Sequence, residues 1–272
     1  MSDPVAAITE ADATGEIAEI YADIREVLGV EVVNLIWRHL AIFPGALPWA
    51  WGALRPLYVD GSVTTEALAL HGDLDLPALP PLPAEVLASA GVAAADLGSI
   101  RNVLSAYDRT NAMALVALAA LLVSLDTAPG GGAAPGGTRP ASNAAIPLPK
   151  LLTLDAMAPA TATLVRTLNA LGTRRPDAIL ASMYRHLAHW PGYLALAWAL
   201  VAPLDADGRL EAAIADAVAK ARARAGAMAG RIAGPRPDPA MAETIRTAIE
   251  PFAGDVIAKM VVICAILRNA TS

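Results

Sequence analysis

The chain of 272 residues is 56% apolar, has a formal net charge of -6 and contains one cysteine. An acidic balance with lysine only at Lys150, Lys220 and Lys259 excludes a general affinity for nucleic acid. A lone thiol excludes an intrachain disulfide or a CxxC redox pair.

So apolar a chain raises the question of a membrane span. Two long apolar runs, Ala112 to Leu125 and Pro191 to Leu204, have 14 residues each, whereas a spanning helix needs about 20. They read as buried helices of a soluble core, with no membrane partner. Met1-Ser2-Asp3-Pro4 carries no basic n-region, so no secretory signal is expected and the cytoplasm is the default location. The length suffices for two domains of ordinary size.

In chain order, a first helix is expected from Asp12 or Thr14 to Leu28, with Glu16 and Glu19 at its positive end and Gly29 as its stop. A second runs from Val32 to Ile42, and Pro44-Gly45 breaks it and starts a third. On that third helix Leu47, Ala50, Trp51 and Leu54 fall at i, i+3, i+4, i+7 and form one apolar stripe. Asp73 to Pro83 alternates Leu with Pro and cannot be regular helix. Helices over Ala84 to Ala90 and Ala93 to Leu125 follow. Ala128 to Pro149, with Gly130-Gly131-Gly132, reads as a flexible linker. No Lys-Ser/Thr follows these glycines, so they are not a phosphate loop.

Beyond the linker the pattern returns. Arg38-His39-Leu40-Ala41-Ile42-Phe43-Pro44-Gly45 recurs as Arg185-His186-Leu187-Ala188-His189-Trp190-Pro191-Gly192, and eleven of twenty positions from Arg38 to Leu57 are identical 147 residues later. Asp12-Ala13 and Leu28-Gly29 reappear as Asp155-Ala156 and Leu171-Gly172, which leaves an insertion holding Arg174, Arg175, Pro176 and Asp177. The second copy then expects a helix from Ala178 to His189 and a stripe of Leu194, Ala197, Trp198 and Val201. Ile100-Arg101 to Leu122 is matched by Ile245-Arg246 to Leu267, with Tyr107 opposite Phe252. Sustained period-2 alternation is absent. The expected fold is all-α: a first repeat over 1–126, a linker over 127–149 and a second repeat over 150–272. Two such copies should pack as a pseudo-dimer with the chemistry between them. Trp51 and Trp198 read as core anchors.

Candidate chemistry is sparse. His39, His71, His186 and His189 have no metal-ligand spacing, so no metal is expected, and duplication alone accounts for His39 and His186. Lys220, Arg222, Arg224 and Arg231 read as a solvated helix face, and Cys264 as a small buried hydrophobe. No Gly-x-Ser-x-Gly elbow is present. In the polar run Tyr107-Asp108-Arg109-Thr110-Asn111, Asp108 and Asn111 share a helix face at i, i+3. Either Asp108 caps an exposed helix start, or Asn111 orients a water or ligand at the rim of an apolar core.

The double Leu-Ala-x-(Phe/Trp)-Pro-Gly arrangement, the Asp-Ala and Ile-Arg segments, and Val103-Leu104-Ser105-Ala106-Tyr107 followed by Asn111 resemble the group I 2-haloacid dehalogenases over nearly the whole chain. The resemblance implies an all-α pseudo-dimer related to AhpD-like proteins, with no cofactor and an active site between the halves. There, a carboxylate activates a water that displaces halide from C2 of a small 2-haloalkanoic acid of either hand. By the same resemblance Asn111 orients the water and Ser182 meets the substrate carboxylate, in a pocket with Met183, Tyr184, Val32 and Leu35. The family's catalytic aspartate falls at Met183, and Val32 and Leu35 stand where it has bulky aromatics.

A thioether does not titrate near neutral pH and accepts hydrogen bonds weakly. Of the nearby carboxylates, Asp177 faces away from Met183 on a regular helix, which leaves Asp108 as the substitute base. Two readings follow. One is a dehalogenase with a displaced base, weak or inactive; the other is a binding protein that holds a small ligand in the apolar cavity, alone or as a homodimer. A peroxidase of the AhpD type would need two close cysteines.

Overall fold

The computed structural model describes residues 5–127, 147–173, 179–232 and 234–271. Met1 to Pro4, most of the expected linker and the insertion with Arg174, Arg175, Pro176 and Asp177 lie outside the described residues. Among the described residues every regular element is helical. The first copy contains α1 (Gly15–Leu28), α2 (Leu35–Leu40), α3 (Ala46–Val59), α4 (Ser62–Asp73), α5 (Ala84–Ser89) and α6 (Leu97–Asp126). The second contains α7 (Pro159–Ala170), α8 (Ser182–Leu187), α9 (Pro191–Ala206), α10 (Arg209–Ala229), α11 (Pro239–Pro251) and α12 (Ile257–Ala270).

Gly29 ends α1 in the left-handed conformation, φ 62°, with its N–H on the Arg25 carbonyl, as a helix stop requires. The second helix of each copy is shorter than its pattern suggests. Residues 32–34 and 179–181 stay outside the helix, and in each segment a side chain takes a backbone N–H: Glu10 Oε1 accepts from Val33 N at 2.9 Å, and Asn169 Oδ1 accepts from Ala181 N at 2.9 Å. Residues 74–83 form no helix, as the Leu-Pro alternation demands. The repeat also runs further than Leu57 and Leu204. Asp60-Gly61 and Asp207-Gly208 turn α3 into α4 and α9 into α10 alike, with glycine φ of 82° and 83°.

The copies diverge in their last long helix. α6 is continuous, whereas α11 and α12 are separated by a π-type turn over Phe252–Val256 that follows Pro251. α6 packs along α4, α10 and α12, so one hydrophobic core runs through both copies. α6 with its preceding turn is long and apolar enough to cross a membrane, although its uncharged run is not. Its most apolar stretch is 72% buried inside the protein, which identifies it as the central core helix.

Two expectations need correction. Trp51 is 3% exposed, stacks edge-on against Trp37 at 5.4 Å and donates its indole N–H to Asp23 at 2.6 Å. Trp198 is 43% exposed and is no core anchor. At the spacing of the first helices Asp23 corresponds to Arg166, which cannot accept an indole proton. The basic cluster on α10 is not merely solvated either. Lys220 bonds the Asp73 carbonyl and Arg224 pairs with Glu66 and Asp73, while Arg231, just past the end of α10, pairs with Asp60, so three of its cations tie α10 and the turn after it to the first copy.

Candidate functional site

Between the copies lies a cavity of about 100 Å³. One water needs roughly 10–15 Å³ of such space, so several waters or one small organic molecule fit. Both copies line it at equivalent positions. Val32 faces Ile179 in the register of the repeat, Leu35 corresponds to Ser182, Ile36 to Met183, Tyr107 to Phe252 and Asn111 to Val256, and all ten line the cavity. In three of these pairs one member is polar and the other apolar. Tyr107, Asn111 and Ser182 therefore break the symmetry of the lining and give one side of each pair a polar group.

Tyr107 and Asn111 are at i, i+4 on α6 and so point to one side. Asn111 is 7% exposed, and its Nδ2 lies 3.7 Å from Cys264 Sγ on α12. The Cys264 thiol in turn donates to Met183 Sδ at 3.3 Å. Burial pushes this thiol well above its ordinary pKa, so it stays protonated and serves as that donor. With Nδ2 facing sulfur, Asn111 Oδ1 remains to accept a hydrogen bond from a cavity water.

Ser182 and Met183 open α8 directly after the segment that Asn169 braces. Asn169 Nδ2 also donates to the Ile179 carbonyl at 3.1 Å. Its own carbonyl accepts from Lys259, a fully buried lysine that desolvation lowers to about 8 against the pull of Asp255 and Asp205. Met183 is fully buried, and His186, one turn on along α8, is 1% exposed and also lines the cavity. Its Nδ1 is 3.0 Å from the Tyr107 hydroxyl. Burial, with Arg185 and His189 nearby, brings His186 down to about 4. Burial likewise raises the Tyr107 phenol, although a hydrogen bond with Ser182 works against the shift. Ser182, Tyr107 and His186 thus form a hydrogen-bonded row.

Two guanidinium groups reach the wall. Arg109 donates to the Leu28 and Gly29 carbonyls at 3.0 and 3.2 Å, which completes the end of α1, and desolvation lowers its pKa. Arg38 Nε donates to the Val33 carbonyl at 3.0 Å. Exposed Glu31 stands at the rim, where its carboxylate accepts from Leu148 N at 3.3 Å. A cavity edged by arginines favours a small anion.

Of the residues singled out in the sequence, the structure brings Asn111, Ser182, Met183, Val32 and Leu35 to the cavity and leaves out two. Asp108 is turned away. It is 2% exposed, accepts from His71 Nε2 at 2.8 Å and pairs with Arg268 at 2.7 Å. About 60° of rotation between positions 108 and 111 on a helix is enough to move it from the cavity wall to the junction of α4, α6 and α12. It is not an exposed cap, and it does not line the cavity. Tyr184 is fully buried beside the cavity lining, and its hydroxyl has no hydrogen-bond partner. The tyrosine that the cavity does present is Tyr107. Its opposition to Phe252 across the repeat was the available sequence signal for it.

No protein-family model matches the chain. The chain is 35% identical over 130 residues to a configuration-inverting 2-haloacid dehalogenase of Alcaligenes xylosoxydans xylosoxydans, a match that spans 46% of this chain and 43% of that protein. Its fold is that of D-2-haloacid dehalogenase. A structure of that enzyme in complex with L-LA superposes over 100% of this chain and 97% of its own with a TM-score of 0.78 at 20% identity. A mutant in complex with D-2-CPA covers 100% and 99% with a TM-score of 0.73 at 18% identity.

Proposed function

We propose that the protein is a 2-haloacid-dehalogenase-like hydrolase whose cavity takes a small 2-halocarboxylate and replaces its halogen with a hydroxyl from water, slowly in the natural chain. The observation that carries this reading is the placing of Asn111 of α6 and Ser182 of α8 in one cavity between the two copies. The Ser182 hydroxyl can donate to the substrate carboxylate, and Arg38 and Arg109 favour the anion's entry. Asn111 Oδ1 holds the attacking water. As its oxygen bonds to C2 the halide leaves with the bonding electrons, and the water must give up a proton. Met183 cannot take it, and Asp108 is committed elsewhere. The homologue's activity and the D-2-CPA and L-LA of the structural relatives support the substrate class. A cytoplasmic homodimer is part of the same proposal.

One observation favours a second reading, a protein that binds a small carboxylate without displacing halide: Met183 is fully buried with its sulfur against Cys264. Halide release and calorimetric binding with 2-halopropionates and haloacetates separate the two. Met183→Asp is expected to raise halide release, by up to the about 10²–10⁴-fold that a general base contributes, whereas Met183→Leu leaves it unchanged. Binding without release in every variant supports the second reading. Neither binding nor release in any of them sinks both.

A further inference from the structure

The row that ends at His186 supplies what the cavity lacks. We propose that Tyr107 and His186 together take the proton of the attacking water, doing through a relay what a carboxylate at position 183 would do directly. This rests on the functional reading above. Both side chains line the cavity, and the Tyr107 hydroxyl stands 3.0 Å from His186 Nδ1. Asn111, one turn from Tyr107 on the same side of α6, brings its amide to the same space, so a water held by Asn111 Oδ1 can reach the phenol oxygen. As the C2–oxygen bond forms and the C2–halogen bond breaks, the water proton passes to the Tyr107 oxygen and the tyrosine's own proton passes to Nδ1. The products are the 2-hydroxy acid, halide and an imidazolium ion, and no oxidant, metal or cofactor is consumed.

The protonation states suit the task. Burial brings His186 to about 4, so at neutral pH the imidazole is unprotonated and free to accept. Its basicity is then close to that of an aspartate, about 3.9, the group it would replace. After turnover so acidic an imidazolium returns its proton to water. The other copy lacks the device. His39 lies 5.6 Å from Phe252, as His186 lies 5.6 Å from Tyr107, but Phe252 has no hydroxyl to pass a proton. The relay exists once because the second copy offers Phe252 in place of Tyr107 and because His39 Nδ1 is held by the Ala6 carbonyl.

The test uses the full chain and 2-chloropropionate. Tyr107→Phe, which removes one oxygen, and His186→Gln are each expected to lower halide release about 10²-fold or more while calorimetry shows 2-chloropropionate still bound. Adding Met183→Asp to His186→Gln should restore release, because a carboxylate at 183 bypasses the relay; a merely structural His186 would not be rescued this way. The proposal is overturned if Tyr107→Phe releases halide at the wild-type rate, or if the wild type binds 2-chloropropionate and releases none. Should His186→Gln fail to fold, Tyr107→Phe decides alone. A wild type that neither binds nor dehalogenates any haloacid overturns the functional reading itself, an outcome distinct from activity that ignores Tyr107.

Discussion

His39 and His186 hold the same place in the two copies, and each packs at 5.6 Å against an aromatic ring of the opposite copy. Their surroundings nevertheless differ. His39 Nδ1 meets the Ala6 carbonyl at 2.8 Å near the surface, whereas His186 Nδ1 meets the Tyr107 hydroxyl inside the cavity. Duplication reproduced the geometry, and single substitutions on it then produced two environments. The glycines of the repeated Pro-Gly pair show the same economy. Gly45 adopts φ 80° to start α3, while Gly192 lets the Ala90 carbonyl approach to 1.7 Å of where a Cβ would sit. Identical residues in a repeat therefore do not imply identical roles.

The largest expected break in the symmetry is between the tryptophans. Trp51→Ala removes a buried ring with two aromatic neighbours and a satisfied N–H, and should cost about 3–5 kcal/mol in urea unfolding. Trp198→Ala, at a half-exposed site, should cost under about 1 kcal/mol. Equal losses would mean that the second copy buries its tryptophan as the first does.

Next come the histidines that flank α6. His186 sits below its ordinary pKa of 6.5, so on acidification the unfolded chain takes up its proton first. Its contribution, up to about 3 kcal/mol, is complete above pH 6.5 and is lost as pH falls towards 4. His71 is raised, chiefly by its hydrogen bond to Asp108, so its contribution is complete below pH 6.5 and is lost as pH rises through its folded value. Unfolding midpoints between pH 4 and 8.5 should show His186→Gln flattening the acid limb and His71→Gln flattening the other. An acid limb unchanged in His186→Gln would show that this imidazole is not held neutral by the fold.

A smaller effect is expected at Asp108, whose counterpart in the second copy is Ala253. Asp108→Asn should destabilise by about 2 kcal/mol, since the bonds to His71 and Arg268 lose the carboxylate's charge. Halide release should stay at the wild-type level. Loss of release with unchanged stability would return Asp108 to the reaction.

How much of this was legible in the sequence follows from what each signal reports. Gly29 and the Leu-Pro alternation of residues 74–83 act through backbone sterics, which are local, and the structure agrees with both. The repeat fixed which residues are equivalent, and the resemblance to the group I 2-haloacid dehalogenases assigned Val32, Leu35, Ser182, Met183 and Asn111 to one cavity before any coordinates. Helix ends were less legible, because Glu10 and Asn169, distant in sequence from the segments they brace, capture backbone groups that the apolar pattern would give to a helix.

The sequence by itself thus determined the all-α class, the duplication and the absence of a carboxylate at position 183, since these depend on composition and on residues compared with one another. Tertiary structure alone decided that Asp108 serves His71 and Arg268, that Trp198 stays in solvent, and that Tyr107 meets His186 across the copies. Each of these depends on which neighbour a side chain finds when α6, α8 and α12 pack together. A helical period gives the direction of a side chain to within a face, and the difference between a cavity wall and a buried ion pair is smaller than a face.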